Sequence, residues 1–235
     1  MTLEAWMKGV IFDMDGVLVL TGQAHFRAWR ATAAESGIDL DFETFSHTFG
    51  LTNPDVIRKL WPREVGAEEG ARLAERKELA FRDDVRASVP FAPGVHPLLR
   101  ELAQGGFTMG VGSSAPRENL DMVLDAGSGG PPGSDDGPIR VFFASVVDGS
   151  MVTRGKPDPE VFVRAARLAG LVPERCVVIE DAPAGILAAR AAGMGAIGLA
   201  TTHGREALEE AGAHVVYDAL ADLSAARIAA VSRRR

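Results

Sequence analysis

Apolar residues in this chain gather in short unbroken runs rather than alternating with polar ones. The runs are Lys8–Phe12, Phe107–Gly112, Val141–Val147, Cys176–Ile179, Ala196–Leu199 and His214–Tyr217. Continuous apolarity over so few residues predicts strands covered on both faces, as in a parallel sheet. Between the runs the period lengthens. Val95, Leu98, Leu99 and Leu102 share one face of a predicted helix over Gly94–Gln104. A second helix is predicted over Pro159–Ala169, with Asp158 as its N-cap. A third covers Pro183–Ala192 and stops at Gly193. Strands alternating with such helices predict an α/β fold, a doubly wound, Rossmann-like parallel sheet.

One stretch breaks the alternation. From Thr21 to Val89 the pattern is helical and holds no convincing strand: Phe26, Trp29 and Ala33 fall at helical spacing, and Leu73, Leu79 and Phe81 lie in a later charged helix. A helical block between the first strand and the rest of a sheet predicts an inserted all-helical cap domain. Residues 21–90 would form the cap, and residues 1–20 and 91–235 the core. Hinges are expected at Leu20–Gln23 and Ser88–Pro93, where Pro90 and Pro93 stiffen the return. Gly127–Pro138 reads as a mobile low-complexity surface loop, and Arg233–Arg235 as a solvated terminus.

Composition narrows the classes. The 235 residues carry 25 Lys+Arg against 32 Asp+Glu, a net charge of −7, which argues against a nucleic-acid-binding surface. The single cysteine, Cys176, excludes an internal disulfide and a cysteine-based zinc cluster. No apolar run nears the roughly 18 residues of a membrane span, and the first residues lack the layout of a signal peptide. A soluble cytoplasmic protein without membrane or nucleic-acid partners is expected.

Four polar clusters stand at predicted strand ends or helix starts. Asp13-Met14-Asp15-Gly16 follows the first run. Two carboxylates so close repel, and a hard cation such as Mg²⁺ relieves that repulsion. The plain alternative is an acidic turn that caps a helix. Gly112-Ser113-Ser114-Ala115-Pro116 offers hydroxyls and backbone N–H groups at a helix start, an anion site or simply a serine cap. Gly155-Lys156-Pro157-Asp158-Pro159 holds a lysine just before a capped helix, pinned by the two prolines that follow, either to neutralise an anion or steady the aspartate pair, or as a surface charge. Glu180-Asp181 brings a second acid pair to a strand's end, where ligands of α/β sheets bind, although Asp181 also suits an N-cap. Acid pair, hydroxyl, lysine and acid pair would meet on one edge of one sheet.

With these four motifs and its helical insertion, the chain resembles the haloacid-dehalogenase-like hydrolase superfamily. The stretch from Asp13 to Ile38 is similar to the β-phosphoglucomutases and their sugar-phosphate phosphatase relatives. The resemblance implies that Asp13 is the nucleophile forming an aspartyl-phosphate and Asp15 the general acid/base. It further implies that Ser113 hydrogen-bonds the phosphoryl group and that Lys156 offsets its charge. Mg²⁺ would be held by Asp13, the backbone carbonyl of Asp15 and Asp181, with Glu180 touching the ion or supporting those that do. An acid at Asp15 favours phosphate esters, since dehalogenases and phosphonate-cleaving members lack one there.

The resemblance also assigns expectations in the cap. Thr21 matches a hinge threonine, and His25 with Lys77 a pair that positions the general acid/base, although Lys77 could equally be one more exposed charge. Ser114 is expected on the substrate side. Asn53 stands where those mutases carry an arginine for a second phosphate, and a neutral amide cannot replace that clamp. Leu20 departs from the usual aspartate before the hinge. The expectation is therefore a Mg²⁺-dependent phosphatase of small phosphorylated metabolites, acting as a monomer. A β-phosphoglucomutase-type mutase is the alternative, and a non-catalytic protein binding a phosphorylated ligand is a weaker one.

Overall fold

The computed structural model describes residues 9–126 and 137–231. Most of the Gly127–Pro138 stretch and all of Arg233–Arg235 lie outside the described residues.

Six strands form one parallel sheet: β1 Gly9–Phe12, β2 Thr108–Gly112, β3 Phe143–Val147, β4 Cys176–Glu180, β5 Gly195–Leu199 and β6 Val215–Tyr217. Their order is β3-β2-β1-β4-β5-β6, so the chain reverses direction across the sheet between β1 and β4. Residues alternate between the two faces. Val10, Phe12, Val177 and Ile179 pack on one side with Leu98, Leu99 and Leu102 of α5 (Val95–Gln104) and Leu120 and Val123 of α6 (Arg117–Leu124). Ile11, Cys176 and Val178 face the other side, against Phe162 and Ala165 of α7 (Glu160–Leu168) and Ile186 and Ala189 of α8 (Pro183–Ala191). Every residue of β1 is buried, which is why its polar alternation vanished from the sequence. The helices α9 (Arg205–Glu210) and α10 (Ala225–Val231) complete the two layers.

Four helices stand between β1 and α5: α1 Gly22–Ala34, α2 Phe42–Ser46, α3 Asn53–Leu60 and α4 Ala67–Val85. They build a helical cap around a separate cluster of Trp29, Ala33, Leu40, Phe45, Ile57 and Trp61. The two chain segments that join cap to sheet run side by side. Leu20 N–H donates to Pro90 O (2.8 Å) and Ala92 N–H to Leu18 O (2.9 Å). Among the described residues no helix is long and apolar enough to cross a membrane.

Three expectations need correction. Val141 is not in a strand: Ile139–Phe142 is a single helical turn and Val141 is 80% exposed, because β3 is an edge strand that begins only where β2 can pair with it. Helix α7 starts at Glu160, after a turn closed by Asp158 N–H on Gly155 O, and Asp158 accepts from Glu160 N–H. The first hinge ends earlier than predicted, as Gly22 and Gln23 are already helical.

Candidate active site

The parallel register sets the site. Phe12 is level with Ile179 of β4, so the next pair across the two strands is Asp13 and Glu180, at the carboxyl ends where the sheet order reverses. Asp13, Glu180 and Asp181 are all buried, and each offers an oxygen within 4.8 Å of the others. Lys156, itself buried in the loop after β3, lies 2.8 Å from Asp13 Oδ1 and 2.6 Å from Glu180 Oε1. Its ammonium also sits 4.8 Å from the centre of the Phe162 ring, which pins the side chain from behind. The surface-lysine alternative therefore fails.

Glu180 occupies the strand position that continues Cys176 and Val178, so it faces α8. Its Oε2 accepts from the N–H groups of Asp181 (2.7 Å) and Ala182 (2.6 Å), where α8 begins. Glu180, not Asp181, therefore serves the start of that helix, and the N-cap explanation for Asp181 falls away. Asp181 instead accepts from the Thr202 hydroxyl, and its backbone carbonyl accepts from His203 Nδ1 at 3.1 Å. Two glycines make room for these carboxylates. A Cβ on Gly16 (φ +78°) would lie 1.8 Å from Asp181 Oδ2, and one on Gly185 would lie 1.8 Å from Glu180 Oε1.

Asp15 belongs to a different network. Its Oδ1 accepts from the Thr21 hydroxyl and from His25 Nε2 at 3.0 Å. Lys77 Nζ reaches His25 Nδ1 at 2.9 Å and Glu78 Oε1 at 2.8 Å. An ammonium can only donate, so His25 Nδ1 accepts and the ring proton sits on Nε2, aimed at Asp15. The imidazole is stacked on Phe81, with centroids 4.0 Å apart and an interplanar angle of 6°. Lys77 is 3% exposed, which overturns its alternative as a surface charge.

The two aspartates consequently differ in proton affinity. Burial, with the nearby Glu180 carboxylate, lifts Asp13 to about 7 despite Lys156. Asp181 is raised well above the ordinary value by burial, Glu180 and Asp13. Burial also pushes Asp15 upward, but His25, Thr21 and Lys77 together reverse this and hold it below the ordinary carboxylate value. Lys156 is held above its usual value because Asp13 and Glu180 outweigh the cost of its burial. Clustered buried carboxylates, whose proton affinity burial and mutual repulsion raise, are the donor set a hard divalent cation selects. The residues present fit Mg²⁺.

Ser113 and Ser114 separate in role. Ser113 is 2% exposed and fixed by its N–H on Val147 O (3.0 Å), with its Oγ accepting from Ala115 N–H (3.1 Å). Ser114 Oγ reaches across to the cap and donates to Gly50 O at 3.0 Å. Asn53 donates to Glu78 Oε1 at 2.8 Å, and Asn119 of α6 donates to Glu78 Oε2 at 2.7 Å. Asp13, Asp15, Thr48, Asn53, Lys77 and Ser113 are among the residues that line one cavity of about 70 Å³ between sheet and cap. Sequence reasoning missed Glu78, Phe81, Asn119 and Thr202. Thr202 lies just past the end of β5, so the strand-end rule could have found it. Phe81 showed only as an apolar position of its helix, and Glu78 and Asn119 are set by helix packing and left no local signal.

Residues 7–193 match the family described as haloacid dehalogenase-like hydrolase. The chain is 32% identical over 201 residues to β-phosphoglucomutase of Bacillus subtilis (strain 168), covering 82% of this chain and 83% of that one. It is also 32% identical over 190 residues to fructose-1-phosphate phosphatase YqaB of Escherichia coli (strain K12), covering 80% and 94%. The crystal structure of β-phosphoglucomutase from Clostridium difficile is similar at a TM-score of 0.83 with 26% identity, over 97% of each chain.

Proposed function

The chain belongs to the haloacid dehalogenase-like hydrolase family, and on that premise we propose that it is a Mg²⁺-dependent phosphatase of small phosphorylated metabolites of the sugar-phosphate class. The observation that carries this reading is the pair Asp13 and Asp15. They face one cavity, yet Lys156 and Glu180 hold the first while Thr21, His25 and Lys77 hold the second. Two carboxylates whose surroundings push their proton affinities apart suit two different chemical tasks.

Asp13 is the proposed nucleophile. One of its oxygens attacks phosphorus and forms an aspartyl-phosphate, while the ester oxygen leaves with a proton from Asp15. Asp15 rests ionised. A phosphate dianion arriving beside it raises its proton affinity, so it takes up a proton from solvent and enters the step as an acid. A water then attacks the aspartyl-phosphate and gives its proton back to Asp15, releasing phosphate and Asp13. Ser113 donates to a phosphoryl oxygen, and Lys156 offsets the charge that would otherwise repel two anions. Asp13, Asp181 and the backbone carbonyl of Asp15 are the proposed ligands of Mg²⁺, which when bound supplies further positive charge at the phosphoryl oxygens. Glu180, with Lys156 on one oxygen and two N–H groups on the other, supports that set by orienting Lys156.

The cap bears on the choice between hydrolysis and mutase chemistry. Asn53 offers no charge for a second phosphate, and Lys77 is already engaged by His25 and Glu78. Both favour water as the acceptor. We take residues 1–20 and 91–235 as the core and 21–90 as the cap. One chain completes the cavity, in keeping with a monomeric enzyme of the cytoplasm.

The test is phosphate release. Purified protein with Mg²⁺ should release phosphate from a panel of sugar phosphates, and EDTA or Asp13→Asn should abolish it. Conversion of β-glucose 1-phosphate to glucose 6-phosphate without net phosphate release would overturn the reading in favour of the mutase.

A further inference from the structure

Glu78 is a buried carboxylate that the proposed chemistry does not use. It is 5% exposed, lies on α4 and lines the cavity on the cap side. Its Oε1 accepts from Asn53 Nδ2 and Lys77 Nζ, both at 2.8 Å, and its Oε2 accepts from Asn119 Nδ2 at 2.7 Å. A carboxylate has four acceptor positions. Three are filled here, which leaves one on Oε2.

The rest of that wall is neutral. Trp29, Phe45, Phe49, Leu51 and Val56 line it with apolar surface, and Asn53 contributes an amide. Lys77 brings the wall's one positive charge among the lining residues, and Glu78 cancels it at 2.8 Å. Burial pushes the Glu78 carboxyl up, but the Lys77 ammonium and the hydrogen bond from Asn119 reverse this, so it stays charged. A ligand anchored by a phosphate at Asp13 and Lys156 thus meets, at its far end, an ionised carboxylate with one open acceptor position.

We infer that Glu78, presented by Asn53 and Lys77, is the specificity-determining residue of the cap: it accepts a hydroxyl of the leaving group and rejects a second phosphate. This rests on the phosphatase reading and deepens it, naming the substrate class as monophosphates with a neutral hydroxyl-bearing remainder. Attraction and rejection come from the same group. A hydroxyl satisfies the open acceptor, whereas a phosphate brings like charge against like charge in a site with little water. Replacing the acid also leaves Lys77 uncompensated, so the wall turns from neutral to positive. Asn53 depends on Glu78 in the same way, because an arginine introduced at residue 53 would be neutralised by the carboxylate that Asn53 now contacts.

The test measures selectivity by binding, apart from turnover. Calorimetry with Mg²⁺ compares glucose 1-phosphate with glucose 1,6-bisphosphate in the Asp13→Asn background. The monophosphate should bind more tightly, and adding Glu78→Gln should shift the ratio toward the bisphosphate by about tenfold. Asn53→Arg, on the first turn of α3 and remote from the packed core, should gain little alone and clearly more once Glu78→Gln is present. A structural role for Glu78 would not produce that dependence. An unchanged ratio in Glu78→Gln, additive effects of the two substitutions, or binding of neither sugar would each overturn the assignment. Wild-type hydrolysis of p-nitrophenyl phosphate is scored separately. If it is absent while the selectivity shift is seen, the phosphatase reading fails and Glu78 keeps its role.

Discussion

Asp13 and Asp15 are separated by one residue and identical in composition, yet the folded chain treats them as opposites. Sequence alone marked both as chemical, because a charged pair at a strand end needs an explanation. It could not assign their proton affinities, which depend on Lys156 and Glu180 from one side and Thr21, His25 and Lys77 from the other. This difference has a consequence for stability. The folded protein holds Asp13 at about 7 against an ordinary 3.8, so between those values it binds more protons than the unfolded chain. Stability of the metal-free protein then falls as pH rises through that window, and a cation that binds the ionised carboxylates restores it. Asp15 and Glu78 are shifted downward, so their contribution is lost only in more acidic solution. Thermal melts should show Mg²⁺ raising Tm more at about pH 8 than at about pH 5. An equal rise at both would mean that Asp13 and Asp181 do not hold protons in the metal-free site.

At the scale of elements, the meeting of β4 and α8 decides how well the site is aligned. Alternation along β4 turns Glu180 toward α8, and only a residue without a side chain fits opposite it. Glycine inside a helix ordinarily costs about 1 kcal/mol relative to alanine. Here the steric term wins: Gly185→Ala should destabilise the protein by about 2 kcal/mol instead of stabilising it. Displacing Glu180 also displaces Lys156, so phosphate release should fall by about a hundredfold. Melting curves and initial rates on one preparation check both, and a more stable, fully active variant would refute this account of the glycine. The sheet strands were legible because burial on both faces leaves an unbroken apolar run. Helix α4 was less so. Its buried face carries Lys77 and Glu78, which hydrophobic periodicity reads as solvent-facing.

Taken as a whole, the molecule packs its cap against the sheet over a cavity of about 70 Å³, smaller than the roughly 300 Å³ of an ordinary small-molecule site, so the proposed substrate would enter while the cap stands away. Opening would break the bonds from Ser114 to Gly50 and from Asn119 to Glu78, with the paired segments at Leu18–Leu20 and Pro90–Ala92 as the hinge. Exposed Arg58 on the cap and Arg154 on the sheet side line one groove across the seam. Cysteines at both positions, joined by a short reducible crosslinker, should suppress turnover, and reductant should restore it; buried Cys176 stays out of the reaction. Undiminished turnover in the crosslinked protein would rule out cap opening as the entry route. The sequence by itself determined the layered α/β architecture, the helical insertion and the four polar motifs, because burial patterns and turn chemistry are local properties. Only the tertiary structure decided which charges meet. The resemblance paired Lys77 with His25, but Glu78 and Asn119 left no mark in the sequence, and their buried contacts exist only once the cap is packed against the sheet.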